Sequence, residues 1–321
     1  ETRLKMNGTG NLHNLTVNHA SCTLFMESDT STTIEGNLTI TAGTVNTNTQ
    51  GGSSRDLTVT GATSITGTLT CNNSTVSLGH NVDNAWSVVL EANGTFVGGT
   101  GNHYLGAVTL NSSSNQWTWT SGNTYLSGRS SSGNQYKVFN NFTAGKVTAA
   151  GTVIVDQGRT PTSFKCVDTS GINNLKMNSG TGRVLHLEDD LTVGGTLNVA
   201  AGTVTTRNHQ DNTDSDLTVT GTTTVGPASG AADQATLTCN ASAVSLGTTR
   251  QQGDYALNIE QGGTFVGGTG THTVGSMYMA QSANAKATMT TGVMTINGYN
   301  NSANKAWRVE YGGDTFDNNN G

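Results

Sequence analysis

Proline is nearly missing from this chain, with two in 321 residues, Pro161 and Pro227. Charge is scarce too: Asp, Glu, Lys and Arg together make up 11%, and aromatic residues 6%. Disordered chains of low hydrophobicity usually carry many charges and prolines, so lacking both argues for order. The 15 Lys and Arg against 21 Asp and Glu leave a net charge of -6 with no basic stripe. That excludes nucleic-acid recognition by phosphate neutralisation. No apolar run approaches the roughly 18 residues of a membrane-spanning helix. No stretch keeps a 3.6-residue apolar period over three turns, so helix is expected to be almost absent. Among the four cysteines (Cys22, Cys71, Cys166 and Cys239) there is no C-x-x-C pair, so zinc or thioredoxin-like chemistry has no support.

What is present is glycine, 42 of them, with Thr, Asn and Ser, and only 33% hydrophobic residues. The chain also repeats itself. Leu4-Lys5-Met6-Asn7 returns as Leu175-Lys176-Met177-Asn178, and Asp56-Leu57-Thr58-Val59-Thr60-Gly61 as Asp216-Leu217-Thr218-Val219-Thr220-Gly221. Thr68-Leu69-Thr70-Cys71-Asn72 returns as Thr236-Leu237-Thr238-Cys239-Asn240. Gly94-Thr95-Phe96-Val97-Gly98-Gly99-Thr100-Gly101 returns unchanged as Gly263-Thr264-Phe265-Val266-Gly267-Gly268-Thr269-Gly270. Order is kept, so one long unit is present twice: copy one over 1–142, copy two over 175–321, and 143–174 between them as extra coils or a junction.

Short alternating runs such as Leu38-Thr39-Ile40-Thr41 and Trp117-Thr118-Trp119-Thr120 recur about every 8 to 12 residues, with Gly, Asn or Ser between them. Alternation with β-branched residues means one face in and one face out. Asn-Gly hairpin turns are scarce between the runs. The offset between copies also drifts, from 159 at Leu38/Leu197 to 168 at Leu69/Leu237, with an insertion around Gly226–Gly230. A stack of coils absorbs such an insertion as a loop at one corner. These features predict an all-β, elongated parallel β-helix (a β-solenoid) of two homologous halves in tandem, with coils of roughly 20 to 25 residues. No capping element is recognisable at either end, which predicts a segment of a longer protein or a neighbour that covers the edge.

Strings such as Glu35-Gly36-Asn37-Leu38-Thr39-Ile40-Thr41-Ala42-Gly43-Thr44-Val45 and Leu191-Thr192-Val193-Gly194-Gly195-Thr196-Leu197-Asn198-Val199 resemble the repeats of right-handed parallel β-helical proteins of bacteriophage virion appendages and bacterial surface adhesins. The resemblance implies a structural or adhesive role outside the cell. Phage tailspikes on this fold also cleave polysaccharide, so fold alone leaves that reading open.

Candidate sites are few. Asp211, Asp214 and Asp216 place alternating oxygen donors in one turn, which suits a hard cation such as calcium, although copy one holds Gly51-Gly52-Ser53-Ser54-Arg55-Asp56 there. Glu188-Asp189-Asp190 reads as a solvated turn, because neighbouring carboxylates on a strand point to opposite faces. Trp117 and Trp119, matched by Ala287 and Met289, read as interior, as do Trp86 and Trp307. Cys71 and Cys239 read as small core residues. His103 and His272 follow the Gly-Gly-Thr-Gly run and are expected to serve its turn, and the glycines to make tight corners.

No catalytic residues and no cofactor are assigned beyond the calcium candidate. The expected role is a non-enzymatic structural or adhesive component of an extracellular assembly, first of all a phage virion fibre or decoration. A secreted or cell-surface adhesin and a polysaccharide-degrading enzyme are the alternatives. Expected partners are other virion or surface-assembly subunits, further copies of the chain, and carbohydrate.

Overall fold

The computed structural model describes residues 2–5, 12–27, 31–80, 82, 85–130, 136–156, 162–167, 171–227, 234–247, 255–280, 284–298, 306–309 and 315–317. No helix occurs among them, and the strand pairs of the ladders are all parallel. The chain divides into two compact units, Glu1–Gln157 and Gly158–Gly321. The boundary falls inside the 143–174 block. Each unit is a right-handed parallel β-solenoid, built from three faces visited in turn.

In the first unit, face A stacks Leu24, Val45, Leu69, Phe96, Trp117 and Val147 in direct register. Face B stacks Ile34, Val59, Leu78, Leu105, Leu126 and Val155. Face C stacks Ile40, Ile65, Leu90 and Leu110. All of these side chains are buried. The second unit repeats the plan. Face A runs Leu185, Val204, Leu237, Phe265, Ala287. Face B runs Val193, Val219, Leu246, Val274, and face C runs Met177, Val199, Val225, Ile259, Met279. Coil length varies from the 19 residues between Leu185 and Val204 to the 34 between Val225 and Ile259. The ladders keep register across that longest coil, although its insertion at 228–233 lies outside the described residues.

The core is thin because a single three-residue strand contributes only one or two inward apolar side chains, and the longer strands that turn a corner, such as Leu38–Asn46, supply three. Each fully buried Leu, Ile or Val stabilises by roughly 1.5–3 kcal/mol, an upper estimate. The outward positions carry hydroxyls and amides instead. On face B of the second unit, Thr192, Thr218, Ser245, Thr273 and Thr295 stand one above the other. The Thr-x-Thr pattern is therefore a product of pleat and stacking together.

Corners are closed by side chains as well as backbone. Asn14 Oδ1 accepts the Asn37 N–H at 2.7 Å, and Asn37 Oδ1 accepts the Ala62 N–H at 2.9 Å. The second unit repeats this with Asn174 and the Thr196 N–H at 2.8 Å. The Gly-Gly-Thr-Gly run does form a corner: Gly99 and Gly268 have φ of +68° and +72°, and a Cβ there would collide with the carbonyls of Asn72 and Asn240.

Three sequence expectations need correction. The tetrapeptide match at Leu4 and Leu175 is not a structural equivalence. Leu4 pairs with Met26 on face A, whereas Leu175 pairs with Leu197 on face C, where its counterpart is Leu15, paired with Leu38. His103 and His272 are not turn residues; they begin face B strands and are fully buried. Trp117 and Trp119 are interior as expected, but Trp86 is half-buried and Trp307 is 39% exposed, because the strand Trp307–Val309 lies at the edge of the described ladder.

Candidate functional site

The most developed corner of either unit is the loop between faces A and B at the same rung of each copy. In the first unit it is closed by an antiparallel bridge between Asn48 and Ser54, in the second by one between Arg207 and Asp214. The Arg55 N–H donates to Thr47 O at 2.9 Å, and the Ser215 N–H to Thr206 O at 2.8 Å. Inside the coil, Thr47 Oγ1 donates to Cys71 O and Thr206 Oγ1 to Cys239 O, both at 2.7 Å. The loop is thus anchored on a buried hydroxyl that satisfies the carbonyl of the next coil.

The three aspartates of the calcium expectation lie on this loop and each has its own donor. Asp211 accepts the N–H and hydroxyl of Thr213 at 3.0 and 2.6 Å, and those bonds hold its carboxyl below the usual range. Asp214 takes both arms of the Arg207 guanidinium, at 2.9 and 3.1 Å, which also lowers its carboxyl. Asp216 accepts the Ala243 N–H at 2.8 Å, while its own N–H donates to Asp190 Oδ1 at 2.7 Å. Asp190 and Asp216 therefore belong to the side-chain ladder that closes the corner, as Asp56 does with the Thr75 N–H at 2.9 Å. Among the described residues no three His, Cys, Asp or Glu side chains gather as a ligand set. In the Glu188-Asp189-Asp190 turn, Asp189 pairs with Lys165 at 3.3 Å.

The equivalent buried histidines differ. His103 Nε2 donates to Gly98 O at 2.8 Å, which leaves Nδ1 to accept from Thr124 Oγ1 at 3.1 Å. A neutral imidazole has one donor and one acceptor, and both are used. His272 sits under Met294 where His103 sits under Thr124, and neither of its ring nitrogens has a partner. Burial lowers both imidazoles, His272 to about 4. Both are packing residues with their rings edge-on to Phe96 and Phe265.

On the outer side of face B in the first unit, the hydroxyl ladder gives way to rings. Tyr104 and Tyr125 stack at 4.7 Å and 8°, and His80 stacks on Tyr104 at 5.6 Å and 10°. Sequence inspection missed this shelf. The signal was present in register alone: Ser77, Tyr104 and Tyr125 are aligned only once coils of different length are stacked. In the second unit, threonines stand at the corresponding rungs, Thr273 and Thr295.

No protein-family model matches the chain, and no curated protein or solved structure matches it either.

Proposed function

We propose that this chain is a non-enzymatic structural and adhesive component of an extracellular assembly, a phage virion fibre or decoration ahead of a bacterial surface adhesin. The observation that carries this reading is the outer surface of face B. Five stacked hydroxyls, Thr192 to Thr295, line one unit, and the Tyr104–Tyr125–His80 shelf lines the other. Rungs about 4.8 Å apart repeat the same polar group many times. Repetition suits binding through many weak contacts, where linkage multiplies individually small affinities. Within the first unit, the rings of the shelf stand in register with the Ser77 hydroxyl, and such a mixed apolar and hydrogen-bonding surface is what carbohydrate requires. The repeat resemblance adds to this reading.

The test is fractionation. Antibody raised against the chain is used on purified virions, on the secreted and cell-surface fractions, and on cell lysate. A virion component co-purifies with particles at fixed stoichiometry. Confinement to the bacterial surface selects the adhesin, and confinement to the lysate refutes both. A glycan array with the wild type and Tyr104→Thr, the residue type of the second unit, reads the adhesive part; equal signal from both refutes the shelf. Release of reducing ends from capsule polysaccharide would replace this reading with the enzymatic one.

A further inference from the structure

The same corner loop carries a feature that differs between the copies. His186 lies on the outer side of face A in register with Thr205, where the first unit has Phe25 in register with Asn46. His209 lies on the loop one residue beyond Asn208, where the first unit has Gln50 beyond Thr49; Asn208 and Thr49 N–H groups make the same 2.8 Å loop bond. Both positions are histidine in the second copy, and they touch: the ring centres are 4.9 Å apart with planes tilted by 46°. The first unit builds its loop without either ring, so the fold does not require them.

The geometry points to a two-histidine site on the second unit for a borderline divalent transition ion such as Cu2+ or Zn2+, held by the His186 and His209 imidazoles. His186 is already set as a ligand. Its Nδ1 lies 2.9 Å from Arg207 O. A carbonyl only accepts, so Nδ1 bears the proton and Nε2 holds the lone pair. A backbone carbonyl on one nitrogen with the other facing out is how ligating histidines are oriented. Arg207 is itself fixed by Asp214.

Distances agree. A metal bound about 2.0–2.1 Å from an imidazole nitrogen lies about 3.2 Å from the ring centre, so two rings sharing one ion at angles between square-planar and tetrahedral stand ~4.5–5.2 Å apart. The observed 4.9 Å falls inside that window. Burial and the neighbouring His209 hold the His186 imidazole low, while its bond to Arg207 O and the charge of Glu188 act the other way. A neutral ring is the ligating form, and metal uptake therefore falls as pH drops. With two protein donors, the remaining positions are left to water. Imidazole donors favour Cu2+ most in the divalent series.

The experiment titrates the full chain with Cu2+ at neutral pH and follows electron paramagnetic resonance. The comparison is with His209→Gln and with the double variant His186→Phe, His209→Gln, which restores the residues of the first unit. Circular dichroism checks the fold of each. The wild type is expected to take up one equivalent more than the double variant, with coupling to two nitrogens. His209→Gln, a loop change outside the core, is expected to lose at least about tenfold in affinity, the scale on which even supporting groups of a metal site count. Equal uptake by wild type and double variant overturns the site, and so does an extra equivalent coupled to a single nitrogen.

Discussion

Acidification should weaken the second unit through one buried imidazole. His272 is fully buried between Val244 and Met294, and both ring nitrogens lack partners. Its pKa falls from 6.5 to about 4 because burial penalises the charged ring. The unfolded chain therefore binds a proton below about pH 6.5 that the folded chain refuses until about pH 4. Stability is complete above the unfolded value, declines as pH falls through that window, and levels off below the folded value. A depression of that size corresponds to about 3 kcal/mol at 1.36 kcal/mol per pH unit, reduced to about 2 kcal/mol by solvent screening near the ladder edge.

Urea midpoints of the wild type and His272→Val, taken between pH 7.5 and 4.5, check this. The remaining histidines are shared and cancel in the difference. The variant should equal or exceed the wild type at pH 7.5, since it removes two unsatisfied buried nitrogens, and its advantage should grow by about 2 kcal/mol toward pH 4.5. His103→Val should behave oppositely at pH 7.5, losing about 1–3 kcal/mol by stripping Gly98 O and Thr124 Oγ1 of their partner. Parallel pH profiles for wild type and His272→Val would refute the reasoning.

Other outcomes follow from the paired loops and corners. Thr47→Val and Thr206→Val each remove the same 2.7 Å bond to a buried carbonyl, and denaturant titration should show similar losses of about 1–2 kcal/mol. Gly52→Ala meets only the penalty of its left-handed φ, as nothing lies within 4 Å of the new Cβ, and should lose about 1–2 kcal/mol. Gly268→Ala adds a collision with Asn240 O, so its thermal midpoint should fall further; equal effects would contradict the corner packing. In the native chain a thiol reagent should modify Cys22 first. Cys71, Cys166 and Cys239 are buried, burial pushes the Cys71 and Cys239 thiols up, and all three should react only on unfolding.

Much of the fold was legible in the residues. Alternation at Leu57-Thr58-Val59 assigns one side chain in and one out, because a pleat has period two. The duplicated Thr-Leu-Thr-Cys places Cys71 and Cys239 inside for the same reason. Local pattern misled where composition is simple: Leu4-Lys5-Met6-Asn7 matches Leu175-Lys176-Met177-Asn178 in letters while the two occupy different faces. His103 and His272 read as turn residues because they follow glycines, yet the pleat turns them inward.

What the sequence determined by itself is the class of structure: short strands, polar corners, a thin core and two copies of one plan. Each follows from spacing along the chain, and spacing along the chain is local. Which residues meet from coil to coil was decided only by tertiary structure. Coils run from 19 to 34 residues, so no constant offset predicts that Tyr104 meets Tyr125 or that His186 meets His209. Hydrogen-bond register between coils sets the tyrosine pair, and the corner loop that follows Thr205, the register partner of His186, brings His209 to it.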